Sequence, residues 1–389
     1  MRPIRITVVI GTRPEAIKLM PVIVAARGRP AEFDVSIVRT GQHRDMVDRL
    51  MTEFGLEADH DLDVMQPDQD LAHVMSESVR GLSSLFAREK PDWVLVQGDT
   101  VTTFAGALAA FYNGVPVGHV EAGLRTGNLH SPFPEEANRS LTARVATLHF
   151  APTESARRNL LGEGIDDDAI VMTGNTVVDA LMLTPSRSGE SDDFASRGRY
   201  ILMTAHRRES QGAALRRICD GVTMLLDRHP DVSVWIPMHP SPPVRSVIVE
   251  RFGGHPRARL TEPLGYHEFL GVLRGAALVL TDSGGVQEEC AALGKPVLVL
   301  RPETERAEAV DAGVSILVGS DPRRILEVSS GLLADADAYD EMAQRTDAFG
   351  AGTASSQILD SLIAVSPARI LDARPNDRRR SNHSSPVGS

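Results

Sequence analysis

The chain has 389 residues, of which 42% are hydrophobic, 24% charged and 4% aromatic. That length exceeds one ordinary core and implies two soluble domains whose interiors are built from Ala, Val, Leu and Ile. A net charge of -11 argues against a general nucleic-acid binder, although a local site for an anionic small ligand is compatible with it. Cys219 and Cys290 give neither a disulfide framework nor a metal-ligand spacing. The first apolar run is a strand rather than a signal peptide, and no run reaches transmembrane length. The expectation is a cytoplasmic enzyme.

Ile4 to Ile10 is β-branched except at Arg5 and mostly apolar, as in a buried parallel strand. Gly11-Thr12-Arg13-Pro14-Glu15-Ala16-Ile17-Lys18 follows. Proline suits the first turn of a helix, and the free N–H groups there, with Arg13 and Lys18, form a candidate anion site. Asp34 to Thr40 reads as a strand, and Gly41-Gln42-His43-Arg44 leads into a helix. Asp61-Leu62-Asp63 matches a short acidic pattern of metal-using glycosyltransferases, but it is too short to outweigh a loop. Leu71 to Phe86 has helical spacing.

Trp93-Val94-Leu95-Val96 is a strand that stops at Gln97-Gly98-Asp99-Thr100. Val115 to Val120 stops at Glu121-Ala122-Gly123. Ser131-Pro132-Phe133-Pro134 delivers Glu135 and Glu136 to a helix start. Carboxylates therefore recur at the carboxyl ends of strands, where open α/β sheets bind ligands. A helix-capping role for Asp99 and Glu135 is the plainer alternative. Residues 149–152 and 169–173 read as further short strands. Residues 185–198 are rich in Ser, Gly, Asp and Arg and read as an exposed loop near a domain junction.

Alternation restarts with strands at 200–204, 232–237, 276–280 and 296–300 and a helix at 213–229. His206, Met238-His239-Pro240 and Thr281-Asp282-Ser283-Gly284-Gly285 stand at strand ends. The segments 93–117 and 277–297 echo each other: a strand ends in Asp-Thr/Ser, and a helix leads to Gly-x-Pro-Val. The fold class is α/β, with two Rossmann-like doubly wound domains facing a central cleft. The expected boundaries are 1–178 for the N-terminal domain and 179–352 for the C-terminal domain. A helix at 353–366 and a disordered tail at 367–389 complete the chain.

The first strand is not followed by Gly-x-Gly-x-x-Gly, and the chain contains no Walker loop, no His-Glu-x-x-His, no paired Cys-x-x-Cys and no Gly-x-Ser-x-Gly. No cofactor and no metal are expected. Carboxylates, His206, strand-end cations and the anion-binding turn Ser283–Gly285 remain. Glu288 or Glu289, on the helix after that turn, could accept from ribose hydroxyls. A nucleoside diphosphate in the second domain fits this set.

Gly11–Lys18, Gly98-Asp99-Thr100, His119–Arg125, Pro134–Arg139, His206-Arg207-Arg208-Glu209 and Thr281–Glu289 together resemble the non-hydrolysing UDP-N-acetylglucosamine 2-epimerases. The resemblance spans residues 5–363. It implies the GT-B fold, a homodimer, and interconversion of UDP-N-acetylglucosamine with UDP-N-acetylmannosamine through loss and re-addition of UDP. It implies acid/base or supporting roles for Asp99, Glu121 and Glu135, with base and acid unassigned among them. By the same match His206 stabilises the departing diphosphate, and Arg13, Lys18, Ser283, Gly284 and Gly285 hold UDP. Glu289 binds the ribose, Arg306 lies near the phosphates and Phe269 near the uracil.

The family has a second UDP-sugar site through which substrate activates its own conversion, and Gln42, His43, Arg207 and His239 match it. Asp45, Ser241, Pro302, Glu303, Ala307, Asp347, Ala348 and Ala351 depart from the family pattern around that site and at the cleft edge. The rival readings are a hydrolysing 2-epimerase, a GT-B glycosyltransferase and a non-catalytic UDP-sugar-binding regulator. The Pro14–Lys18 run favours the non-hydrolysing branch over the first. The intact carboxylates argue against the other two.

Overall fold

The computed structural model describes residues 2–42, 44–65, 69–184, 198–205 and 212–365, and of Asp45 the backbone alone. Its strands form two sheets. The first runs β3 (His60–Asp61), β2 (Phe33–Arg39), β1 (Ile4–Ile10), β4 (Trp93–Gln97), β5 (Val117–Val120), β6 (Leu148–Ala151), β7 (Ile170–Met172). The second runs β10 (Ala258–Thr261), β9 (Val232–Pro237), β8 (Arg199–Thr204), β11 (Leu278–Thr281), β12 (Val297–Val299), β13 (Ser315–Leu317). Neighbouring strands pair in parallel throughout, for example Val8 with Ile37 and Leu95.

The helices of the first half are α1 (Arg13–Arg27), α2 (Arg44–Glu53), α3 (Leu71–Glu89), α4 (Val101–Tyr112), α5 (Glu135–Val145), α6 (Glu154–Gly162) and α7 (Thr176–Leu183). Those of the second are α8 (Ala213–Arg228), α9 (Pro242–Phe252), α10 (Tyr266–Gly275), α11 (Gly284–Leu293), α12 (Ala307–Asp311), α13 (Pro322–Ala334), α14 (Ala336–Met342) and α15 (Ala354–Ala364).

Both sheets reverse direction beside their first strand, between β1 and β4 in one and between β8 and β11 in the other. That reversal opens a crevice at the strand ends, the place where doubly wound folds bind ligands. The local echo in the sequence has a structural basis. Segments β4-α4-β5 and β11-α11-β12 occupy equivalent places in the two sheets, each just past the reversal.

The central strands are apolar because both of their faces are covered. All five residues of β4 are buried, and Trp93 and Leu95 belong to the main core. Replacing Leu95 by Ala would cost about 2–5 kcal/mol. The edge strands β10 and β13 are less buried and carry no comparable run. The expected boundary at 178/179 falls inside α7, whereas the first sheet ends at Met172 and the second begins at Arg199.

Helix α15 returns to the N-terminal domain. Ile358, Leu359 and Leu362 join the core beneath β1 and α1, and Arg29 donates to Asp360 at 2.8 Å. Asp179 of α7 caps the start of α15, accepting from Ser355 N at 2.8 Å. The loop expected at 185–198 lies, except for Gly198, outside the described residues, as does the expected tail. No described helix is long and apolar enough to cross a membrane.

Candidate active site

The site grows from the ends of β1, β4 and β5. After β1 the chain turns at Gly11, where a Cβ would lie 2.2 Å from Thr102 Oγ1. Thr12 then caps α1, with Pro14 in the first turn. Glu15 folds back into the turn and is buried, accepting from Gly11 N at 2.8 Å and Thr12 N at 2.5 Å. Its other oxygen accepts from Thr100 Oγ1 at 2.5 Å and Thr103 Oγ1 at 3.0 Å. The start of α1 is thereby joined to the start of α4. Burial raises the Glu15 carboxyl above its usual range even against these four donors.

Asp99 is not the cap of α4. Thr100 is, accepting from Thr103 N at 3.1 Å. The partly exposed Asp99 carboxylate instead receives a hydrogen bond from the buried guanidinium of Arg139 on α5. Asn138 donates to Asp99 O at 3.0 Å. Neighbouring Glu136 is buried, accepts from Thr126 N and Gly127 N at 3.0 Å each, and lies 3.4 Å from Arg139. Glu135 opens α5 and is half-buried. It is not a side-chain cap of that helix either, because Pro134 holds the cap position.

Glu121 ends β5 in the left-handed region, at φ 62°, a conformation that strains a non-glycine residue. It is buried and surrounded by donors. Lys18 Nζ approaches at 2.5 Å, Arg306 Nη2 at 3.0 Å and Asn175 Nδ2 at 3.2 Å, and Gln97 donates to its second oxygen. Burial alone would raise its carboxyl. Lys18 and Arg306 outweigh it and hold the group below the usual carboxylate range.

From the other domain, α11 begins at the Ser283-Gly284-Gly285 turn, with Ser283 at the cap position. A Cβ on Gly284 would stand 2.6 Å from the Arg306 guanidinium carbon, so glycine is required for Arg306 to lie there. Arg306 Nε donates to Glu288 at 2.9 Å, and Lys18 stands 3.7 Å from the same carboxylate. Glu289 accepts from Tyr266 OH at 3.0 Å. Burial, reinforced by Glu288, pushes Glu289 up to about 7. Burial lowers the Arg13 guanidinium, against the pull of Glu289, Glu53 and Tyr266. Phe269 is packed against the core on the same helix as Tyr266.

The two domains meet through these contacts. Lys18–Glu288 and Arg306–Glu121 cross between them, and Glu53 of α2 accepts from Tyr266 N at 3.0 Å at the start of α10. The structure thus brings together Arg13, Lys18, Glu121, Ser283–Gly285, Glu289 and Arg306, with Asp99 on the adjoining strand end. It adds Glu15, Gln97, Arg139 and Asn175 as partners, and it pairs Glu288 with Arg306 and Lys18. Arg139 and Asn138 fall within the quoted Pro134–Arg139 run, whereas Asn175 has no motif to mark it. A separate cavity of about 430 Å³ beside α5 and α6, lined by Arg125, Glu136, Arg158 and Glu163 among others, is not this cleft.

His206, Arg207 and His43 lie outside the described residues. Gln42 accepts from Thr102 Oγ1 at 3.2 Å, behind the first turn. His239 is exposed in the other domain and accepts from Ser241 N at 3.2 Å. Asp61 is paired with Arg39 at 2.6 Å and with Arg44. Among the described residues no cluster of His, Cys, Asp and Glu could hold a metal ion. Pro302, Glu303 and Ala307 are exposed, while the buried Arg306 and the Thr304–Gln287 hydrogen bond of 2.8 Å hold that loop from within.

Two parallel doubly wound domains with cations, carboxylates and a helix start converging between them define a nucleotide-sugar enzyme of the GT-B type. The family model described as UDP-N-acetylglucosamine 2-epimerase matches residues 25–363. The chain is 45% identical to the UDP-N-acetylglucosamine 2-epimerase of Bacillus subtilis, covering 93% of this chain and 96% of that one. It is 44% identical to the Escherichia coli K12 enzyme of the same name, covering 92% and 98%. A crystal structure of UDP-GlcNAc 2-epimerase from Neisseria meningitidis bound to UDP-GlcNAc superposes with a TM-score of 0.89 at 42% identity, covering 93% of this chain and all of the other. The chain belongs to the UDP-N-acetylglucosamine 2-epimerase family of enzymes.

Proposed function

We propose that the protein interconverts UDP-N-acetylglucosamine and UDP-N-acetylmannosamine without net hydrolysis. The observation that carries this reading is the convergence of Glu121 and Asp99 from one domain with Arg306 and the Ser283–Gly285 turn from the other. The proton on carbon 2 of the sugar is not acidic without an adjacent carbonyl. A carboxylate removes it as the C1–O bond to UDP breaks, leaving 2-acetamidoglucal and UDP in the cleft. Re-addition of UDP to carbon 1, with a proton delivered to the other face of carbon 2, gives the epimer. Two faces need at least two acid/base groups, a requirement met by Asp99, Glu121 and Glu135.

Charge accumulates on the departing diphosphate. In this reading Lys18, Arg306, Arg13 and the α11 N–H groups stabilise it. Glu289, near the neutral range and already an acceptor for Tyr266, suits the ribose hydroxyls. His206 completes the diphosphate site in this reading, and Gln42, His43, Arg207 and His239 belong to a second, activating UDP-sugar site. The working form is a cytoplasmic homodimer. Phe111 and Tyr112 of α4, 54% and 66% exposed, and Leu141 of the adjoining α5 offer an apolar face for the second copy.

The test is incubation of UDP-N-acetylglucosamine with the protein in heavy water, followed by NMR. The expected result is deuterium at carbon 2 and a UDP-N-acetylmannosamine signal with little free sugar. Retention of the carbon-2 proton would overturn the elimination route. Accumulation of free N-acetylmannosamine with UDP would instead establish hydrolysis.

A further inference from the structure

Four buried charges form a closed ring across the domain junction. Lys18 and Glu121 come from the first domain, Glu288 and Arg306 from the second. Each cation touches both carboxylates: Lys18 at 2.5 and 3.7 Å, Arg306 at 3.0 and 2.9 Å. All four side chains are buried. With two positive and two negative members the ring is neutral, the arrangement a low-dielectric interior tolerates best.

A nucleoside diphosphate entering the cleft upsets that balance. It brings at least two negative charges, and its oxygens compete with the carboxylates for Lys18 and Arg306. A buried carboxylate deprived of its cation is costly, and the usual relief is protonation. Glu121 is poorly placed to provide that relief, because it retains Asn175 and Gln97 as neutral donors. Among the described residues Glu288 has no such support. Arg306 donates to one of its oxygens, and of the described residues only Lys18 stands near the other.

Resting on the nucleotide-sugar reading above, we propose that Glu288 is a proton acceptor coupled to occupancy of the cleft. It takes one proton from solution when a nucleoside diphosphate draws Lys18 and Arg306 away, and returns it on release. Until then it is the positioning residue that holds both cations at the mouth of the α11 turn. The charged and titratable groups around it are Lys18 of α1, Glu121 at the end of β5, Arg301, Glu305 and Arg306 before α12, and Glu289 on its own helix. Burial raises the Glu288 carboxyl, Arg306 and Lys18 oppose the rise, and Glu121 adds to it. Loss of the two cations removes what opposes that rise, so protonation follows.

The experiment is titration calorimetry of UDP into the full chain, in buffers of different ionisation enthalpy across a pH series. The wild type and Glu288→Gln are compared. At its maximum, the difference in protons taken up per UDP bound is expected to reach about one, with the wild type higher. Equal proton counts in the two proteins would overturn the assignment to Glu288 while leaving nucleotide binding intact. Absence of UDP binding in the wild type would overturn the nucleotide reading and this inference with it. An infrared difference spectrum of the wild type alone, free against UDP-bound, keeps the test open if the variant does not fold. It is expected to gain the carbonyl stretch of a protonated carboxyl, and lack of that band overturns the proposal.

Discussion

Arg139 donates to the carboxylate of Asp99 across the gap between α5 and the end of β4. The same guanidinium reaches Leu124 O at 3.3 Å and Glu136 at 3.4 Å, so one buried cation fixes the carboxylate, the loop after Glu121 and the start of α5 together. With Thr100 capping α4, helix formation does not need the Asp99 side chain. The catalytic reading gains what the capping reading loses.

Asp99→Asn is therefore expected to fold normally and bind UDP, yet lose turnover by about 10²–10⁴-fold, the usual contribution of a positioned acid or base. Arg139→Ala should lower turnover in the same direction and also destabilise the chain, because it leaves the buried Glu136 carboxylate without its neighbouring cation. Steady-state kinetics with thermal melts separate the two variants. Near-native turnover in Asp99→Asn would reduce Asp99 to a structural residue.

Gly284→Ala tests the proposed diphosphate site from the other side. The added methyl would have to occupy space 2.6 Å from the Arg306 guanidinium carbon. Arg306 must move, and its bonds to Glu121 and Glu288 move with it. Loss of one charge-assisted contact of about 1.5–3 kcal/mol weakens UDP binding by about 10–100-fold. UDP affinity by calorimetry is the measurement. An unchanged affinity would place the diphosphate away from Arg306.

The long apolar strands and strand-end carboxylates of this fold are legible in the residue pattern because they obey period and polarity rules. β1 is an example, its run Ile4–Ile10 matching the strand end to end. The edge strands β10 and β13 are not legible in this way, since Ala258-Arg259-Leu260-Thr261 is half-exposed and looks like any polar loop. The site divides similarly. Glu121 and Lys18 stand in motifs, but their pairing at 2.5 Å joins residues 103 positions apart and depends on the β5 end lying beside α1. Asn175 reaches Glu121 only because Phe349 O accepts from Asn175 N at 2.7 Å, a contact between distant parts of the chain. Position in the sequence carries no trace of such a bond.

Acid should unfold this protein through its buried histidines. His119 sits at the centre of the first sheet with Nε2 2.8 Å from Gly98 O, and burial pulls it down to about 4. His149, on the neighbouring strand, is pulled to about 3 by burial and by His119 and Arg125. Both are depressed below the unfolded value. Their stabilising contribution is complete above about 6.5 and is lost as pH falls through the folded values. His119 alone is worth on the order of 3 kcal/mol over that window. A series of thermal melts should show Tm falling steeply below pH 6.5 in the wild type and less steeply in His149→Gln. Parallel slopes would remove His149 from the account.

Glu15 ties the starts of α1 and α4 into one body. Its carboxylate holds Gly11 N and Thr12 N with one oxygen and Thr100 and Thr103 with the other, so the α1 start that carries Arg13 and Lys18 cannot shift without the α4 start beside Asp99. Glu15→Gln replaces an oxygen facing donors with an NH2 group that can only donate. With its oxygen toward Gly11 N and Thr12 N, the NH2 group can donate to the Thr100 and Thr103 hydroxyls, so what is lost is the charge on these hydrogen bonds. The cost is about 1–2 kcal/mol, the difference between charge-assisted and neutral hydrogen bonds, and urea unfolding should register it. Turnover should fall further than this loss of stability predicts at temperatures where the variant is fully folded, because Lys18 and Asp99 are then positioned independently. Thr103→Ser, which retains the hydroxyl, should keep both stability and turnover. A Glu15→Gln variant with wild-type turnover would mean that the two helix starts hold their places without the carboxylate between them.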